Sequence, residues 1–422
     1  MEKYDVAVIG GGTAGVVAAV QAAREGASVL LVEKSELLGG TITNAGVSSA
    51  GLFFAWKKQI IAGIGWEIIS KCVDEGHSAL PDFSKQEQQN HSREHVRFNR
   101  SLFAMLCDEA VVNAGVHVSF DTMLAEIVEG ESEKILTLCT KEGLKRVSTT
   151  VLIDCTRDAN AVTLAGYPVE RSEHCQPSTY YCRLSGYNKD NLDFEEIGKA
   201  YDKEVEKGNL SYISSGWDPD KFTGMWIKGY GGNGSHVSTD GIHGDTSEGR
   251  TRLCLDGRLA ILNSYRFLRT QKGLESLEIS DLLPECGVRE TVRIIGEKTI
   301  TSEDYLSGKR YGDDVCYAFY PIDLHSLKNG GLQKTYLQEG IVPTIPRGAL
   351  LPKGSHNLIV AGRCISADQA ANSAVRVEAS CMATGQVAGA LAAITARTGT
   401  EPSKIPMEDL RAVLERHGAI VP

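Results

Sequence analysis

Tyr4–Glu33 reads as one βαβ unit folded around a glycine-rich turn, and no other stretch limits the fold as much. Tyr4–Ile9 (YDVAVI) is short, apolar and rich in β-branched residues, the pattern of a buried parallel strand. Gly10–Gly15 follows without a spacer, Val16–Glu25 is an alanine-rich helical run, Gly26 stops it, and Ala27–Val32 (ASVLLV) is the second strand. Gly10, Gly12 and Gly15 form GxGxxG: the first permits the tight turn, the second lets backbone approach a pyrophosphate, the third lets helix pack on strand. Thr13 and Ala14 open the helix, whose free N–H groups and about half a positive charge face the phosphates. Glu33 closes the second strand 18 residues after Gly15, suited to accept from ribose hydroxyls and to repel the 2′-phosphate of NADP. A chance glycine-rich turn would need neither the strand before it nor the acid after it.

Further strands are expected at Val116–Phe120, Leu124–Val128, Ile135–Thr140 and Ser148–Asp154, and helices at Val96–Asn113 and Thr251–Thr270. Beyond Gly166 the chain turns more polar, and from Tyr180 to His243 it is dense in aromatic residues, glycine and histidine. Nucleotide-domain character returns with the strand Asn357–Val360, a loop over Ala361–Asn372 and a long helix over Ala374–Thr395. The expected class is α/β: a Rossmann-like nucleotide domain built from N- and C-terminal segments, 1–166 and 343–422, with an inserted α+β substrate domain, 167–342.

Composition excludes several classes. With 44 basic and 54 acidic residues the net charge is −10, which disfavours a phosphate backbone as partner, so no nucleic acid is expected. No stretch looks long and apolar enough to cross a membrane, and the start lacks a signal peptide, so a cytoplasmic protein beginning at Met1 is expected. The 11 cysteines include no CxxC pair, so no metal site is expected and most read as buried reduced thiols.

Glu33 is followed by Lys34 and then by Leu38-Gly39-Gly40-Thr41, a glycine pair in a loop that an NAD domain does not require and a longer flavin dinucleotide does. With this segment in place the chain resembles the FAD-dependent oxidoreductases of glutathione-reductase-like fold. Within them it is similar to a bacterial subgroup through Gly287–Glu297 (GVRETVRIIGE), Tyr320-Pro321-Ile322-Asp323, Leu358–Ser366 (LIVAGRCIS) and Ser380–Gly389 (SCMATGQVAG). The resemblance implies FAD held by Gly10, Gly12, Gly15, Glu33, Gly39 and Gly40. It also implies that Asp154–Asp158 closes over the cofactor, where Thr156-Arg157-Asp158 replaces a Thr-Gly-Asp segment. Arg157 at the glycine position either relaxes the turn or adds a cation, leaving the role of Asp158 open. The Gly362-Arg363-Cys364 loop is expected to pass the flavin. The helix after Asn372, beginning near Ala374, is expected to aim its N-terminus at the N1–O2 edge of the ring, stabilising the reduced anion. A second GxGxxG at Gly229, Gly231 and Gly234 is read as a flexible substrate loop, because Ser235–Asp245 has no helical pattern.

Acid/base candidates in the inserted segment are His236 and His243. Tyr180, Tyr181, Trp217, Trp226 and Tyr230 are candidate pocket aromatics, each equally readable as core. Arg289, Arg347 and Arg376 can bind a carboxylate through paired hydrogen bonds, although Arg289-Glu290 reads more as an interface brace. Cys155 and Cys364 adjoin the cofactor loops without a resolving partner. The expectation is an FAD-dependent oxidoreductase moving a hydride between flavin N5 and a small organic molecule. The alternatives are a flavin monooxygenase using NAD(P)H and oxygen, and a non-turnover flavoprotein subunit of a larger complex. Electron acceptor, reaction direction and any homo-oligomeric state stay open.

Overall fold

The computed structural model describes residues 1–86, 88–130, 132–229, 233–326 and 331–422. β1 (Glu2–Ile9) runs through the glycine turn into α1 (Thr13–Arg24) and on to β2 (Val29–Val32), which lies parallel to β1. β3 (His117–Ser119) pairs with β2 on the far side. β4 (Met123–Glu129), β5 (Lys134–Thr140) and β6 (Gly143–Asp154) form an antiparallel ribbon. β6 is the longest strand of the three because it also pairs parallel with β1, placing Ile9 opposite Asp154.

The middle of the chain builds a second sheet. β7 (Ser178–Ser185) lies between β8 (Asn233–Val237) and β9 (Glu278–Leu282), and α2 (Ser247–Leu268) packs on it. Its hydrophobic cluster is drawn from Tyr180 to Val288, whereas Val292, Ile294, Val315 and Leu337 pack in the first core. The loop expected over Ser235–Asp245 is therefore partly strand: β8 gains its ladder from β7, a long-range pairing that local pattern does not reveal. Tyr230 and Gly231 lie outside the described residues.

β10 (Ile322–His325) returns beside the first core, and β11 (Leu358–Val360) adds to the nucleotide sheet with Val360 opposite Asp154. The expected single helix over Ala374–Thr395 is instead two, α3 (Gln369–Val375) and α4 (Glu378–Thr398), separated where Val377 turns extended. No glycine or proline marks that break. The chain is α/β, with a Rossmann-like nucleotide domain assembled from its N- and C-terminal segments.

α4 corrects another expectation, since it is long and apolar enough to cross a membrane by length and composition. It is almost wholly buried inside the protein, against α1. The two helices approach through small residues: a methyl group on Gly385 would sit 2.2 Å from the Ala14 carbonyl oxygen, and one on Gly389 2.3 Å from that of Ala18. Backbone on backbone leaves nothing flexible to yield. We expect Gly385→Ala and Gly389→Ala each to cost about 3 kcal/mol in urea unfolding, the upper part of the overpacking range. Ala396→Gly, on a less buried part of α4, should cost only about 1 kcal/mol.

Candidate functional site

Four parallel strands end level with one another at Ile9, Val32, Asp154 and Val360. The loops leaving them, beginning at Gly10, Glu33, Cys155 and Ala361, therefore meet at one edge of the sheet, the edge at which open α/β sheets bind ligands. There they line a cavity of ≈ 900 Å³ that also reaches the inserted segment.

Its floor is backbone. Gly10 takes φ +102°, and a Cβ there would meet the Cys155 carbonyl at 2.5 Å. Gly12 and Gly39 pair as a single parallel bridge, and a Cβ on Gly40 would lie 2.8 Å from the Gly12 Cα. The first turn of α1 has no side-chain cap, so Thr13 and Ala14 present unused N–H groups in the cavity wall. α4 is uncapped as well, and Val377, Glu378 and Cys381 at its start line the same cavity. Beside the glycine floor stands Glu33, whose carboxylate accepts from the Gly11 N–H at 2.7 Å and from Ser35. A glycine floor, two positive helix ends and an acid at the end of β2 fit an adenine dinucleotide extended toward a ring.

Of the residues expected to hold that group, Gly10, Gly12, Thr13, Ala14, Glu33, Lys34, Gly40, Thr41, Asp158, Gly362 and Arg363 line the cavity. Gly15 lies behind it, where a Cβ would fall 1.8 Å from the Gly10 carbonyl oxygen, and Gly39 supports it through its N–H to the Gly11 carbonyl, 2.8 Å. Asn372 and Ala374 do not line it. Asn372 sits inside α3 and donates to the Arg363 carbonyl at 2.8 Å, while Ala374 is core. The helix end facing the cavity belongs to Glu378.

Ion pairs close the rim. Asp158 meets Arg363 at 2.5 Å, Arg250 of α2 at 2.9 Å and the Thr291 hydroxyl at 2.8 Å. Burial pushes its carboxyl up, but the surrounding guanidiniums outweigh this and hold it at about 2. Arg157 stands in a left-handed turn, with φ +65°, and sends its guanidinium 2.5 Å from Glu285. Lys34 joins the same carboxylate, and against burial these two cations hold Glu285 at about 2. The turn is not relaxed, and the added cation is spent on Glu285.

The candidate catalytic residues separate. Arg376 lines the cavity. His236 is buried behind it, its ring 4.2 Å from Trp217, with its pKa pushed well below the usual imidazole range by burial and then by Arg289 and His325. His243 is exposed and uses its carbonyl to accept from Thr246 at the start of α2. Arg347 lies off the cavity and donates to the Ile405 carbonyl at 2.5 Å. Tyr181 and Trp217 line the cavity, whereas Tyr180 and Trp226 belong to the second core. The pair Arg289-Glu290, expected as an interface brace, divides: Glu290 turns inward to Arg293, and Arg289 lines the cavity. Burial raises the Cys155 and Cys364 thiols, which stay protonated.

Asp323 and His325 of β10 also line the cavity, though the sequence reading weighed neither as a site residue. They pair at 3.2 Å, and burial keeps the ring neutral, its pKa near 3. Their signal was the i, i+2 spacing, which places both on one face of a strand. His95 is a further lining residue, and another is Glu378. It accepts from the Thr13 hydroxyl at 2.7 Å, and burial raises its carboxyl to about 7.

A family model described as FAD dependent oxidoreductase matches residues 5–414. NADH:fumarate oxidoreductase of Klebsiella pneumoniae is 48% identical over 61 residues, which are 14% of this chain and 7% of that protein. A geranylgeranyl bacteriochlorophyll reductase-like protein of Thermoplasma acidophilum aligns with a TM-score of 0.43 at 13% identity, over 99% of this chain and 84% of its own. A flavin-dependent halogenase aligns with 0.44 at 13%, over 99% and 63%. An anhydrotetracycline hydroxylase of Streptomyces rimosus aligns with 0.33 at 13%, over 46% and 41%.

Glu378 makes stability depend on pH. Its native pKa of about 7 lies above the ordinary 4.5, so between these values the native state holds a proton that the unfolded chain releases. That contribution is complete below the ordinary value and is lost as pH rises through about 7. The thermal midpoint of the wild type should fall more steeply than that of Glu378→Gln between about pH 5 and about pH 8. Parallel curves would remove the assignment.

Proposed function

Because the chain belongs to the FAD dependent oxidoreductase family, we propose that it moves a hydride between the flavin and a small organic substrate held at the Arg376 end of the cavity. The observation that carries this reading is the convergence of two uncapped helix starts and a glycine floor on one cavity that continues into the inserted segment. We also read the chain as glutathione-reductase-like; the β4–β6 ribbon and the packing of α4 on α1 support that assignment.

FAD supplies hydride exchange at N5 when bound. The protein supplies position and charge. Gly10–Ala14 and Glu33 would hold the diphosphate and ribose, and Arg363 with Asp158 would fix the rim beside them. Trp217 and Tyr181 give a flat wall on the inserted side. Asp323 holds the His325 ring in one tautomer while the ring stays neutral. Among these groups Glu378 has the pKa matched to holding or releasing a proton near neutral pH. His236 acts through Trp217, as a positioning residue. We propose a cytoplasmic location, in keeping with eleven unpaired cysteines.

Purified protein should be yellow or become so with FAD. Under anaerobic conditions a substrate screen should bleach the oxidised flavin band, and Arg376→Gln should slow bleaching at least about tenfold, the loss of one charged hydrogen bond. A colourless protein that refuses FAD ends the flavin reading. Hydroxylated product formed with NAD(P)H and oxygen transfers the assignment to a monooxygenase.

A further inference from the structure

The arginines around the cavity fall into two groups. Arg157, Arg250 and Arg363 each meet a carboxylate. Arg289 and Arg376, among the described residues, meet only neutral acceptors. Arg289 donates to the Pro177 carbonyl at 2.6 Å and lies over the Trp217 ring, 5.3 Å from its centroid. Arg376 donates to the Ser373 carbonyl at 3.3 Å, the Gln176 side chain at 3.3 Å and the Asp323 carbonyl at 3.4 Å. Both side chains are half-buried, and both line the cavity. Burial lowers both guanidiniums; each stays cationic, Arg376 at about 10 with the charge of Arg289 contributing.

Two half-buried cations with no carboxylate in contact are costly, so the site is built for an anion that arrives from outside. The charge count fixes its size. Asp323 is the carboxylate that acts on both, the Glu290 that also acts on Arg376 is already paired with Arg293, and burial keeps His236, His325 and His95 neutral. Two positive charges against one negative leave a single charge to balance. A phosphate dianion overshoots this. The planar guanidinium forks match a carboxylate through paired hydrogen bonds, and Trp217, Tyr181 and Tyr320 offer flat faces beside them. Asp323 leaves its Oδ1 buried and unpartnered, and the His236 Nε2 is likewise unsatisfied. This end of the cavity holds more polar capacity than the protein itself uses.

We propose that Arg289 and Arg376 bind the carboxylate of a small, flat organic monoacid, which names the substrate class of the oxidoreductase. The assignment rests on the flavin reading for its chemistry, though not for its binding. The test is calorimetry on the FAD-loaded protein with benzoate and acetate, against their neutral analogues benzamide and acetamide, and against inorganic phosphate. The flavin spectrum is recorded in parallel.

Each acid should bind at least about tenfold tighter than its amide, as hydrogen bonds between charged partners predict. Phosphate should not compete with benzoate. Arg289→Gln and Arg376→Gln should each remove most of the acid preference, weakening acid binding far more than amide binding. Equal affinity for acid and amide in the wild type, absence of acid binding, or competition by phosphate overturns the proposal without need of any variant. So does an Arg376→Gln protein that binds benzoate normally but shows a shifted flavin potential, because the guanidinium then serves the cofactor. A chain that refuses FAD yet still prefers benzoate to benzamide loses only the flavin reading. A chain that takes FAD and binds both alike loses only the carboxylate.

Discussion

The contact on which the molecule depends is that of α1 with α4, two helices whose sequences lie more than 350 residues apart. Gly385 and Gly389 are one helical turn apart and let α4 settle onto the Ala14 and Ala18 carbonyls without an intervening side chain. At that distance the start of α4 cannot miss the start of α1, and the Thr13–Glu378 hydrogen bond ties the two ends together. β11 then has room only beside β6, which brings the Ala361–Arg363 loop level with Gly10–Gly12.

Charge completes what packing begins. Glu285 lies just beyond the second sheet and takes Lys34 and Arg157 from the nucleotide side; Asp158 takes Arg250 from the second sheet's helix and Arg363 from the returning chain. Asp158 is buried and Glu285 half-buried, and both depend on their cations. The nucleotide segments and the inserted segment therefore share ion clusters that only the assembled fold can satisfy. This explains how Arg157 is kept in a left-handed turn: a cost of order 1 kcal/mol in backbone is offset by its partnership with Glu285.

Local rules were enough for the first βαβ unit, because its glycines, apolar runs and terminal acid all act within thirty residues of one another. The same holds for the strands of the ribbon, each a short alternating or apolar run. The substrate end was far less legible. Arg376 could be singled out, but nothing in its neighbourhood announced that a helix would break there, since Val375-Arg376-Val377 contains neither glycine nor proline. His236 and His243 stand out by their setting of glycines, yet the histidines brought into the cavity are His95 and His325, the latter placed there by a strand pairing. Arg289 and Glu290 are neighbours in sequence, yet Glu290 pairs with Arg293 while Arg289 lines the cavity, a division that only the assembled fold sets. Glu378 carries no local signal, because its raised pKa comes from burial deep in the fold.

The bond between Thr13 and Glu378 has a bearing on how such a protein comes into being. A ribosome releases the phosphate-gripping turn early and the helix that faces it hundreds of peptide bonds later. During that interval the flank of α1 that α4 covers has no α4 to cover it. A diphosphate can thus be gripped from one side as soon as the first turn folds, but from both sides only after the Glu378 segment has been made.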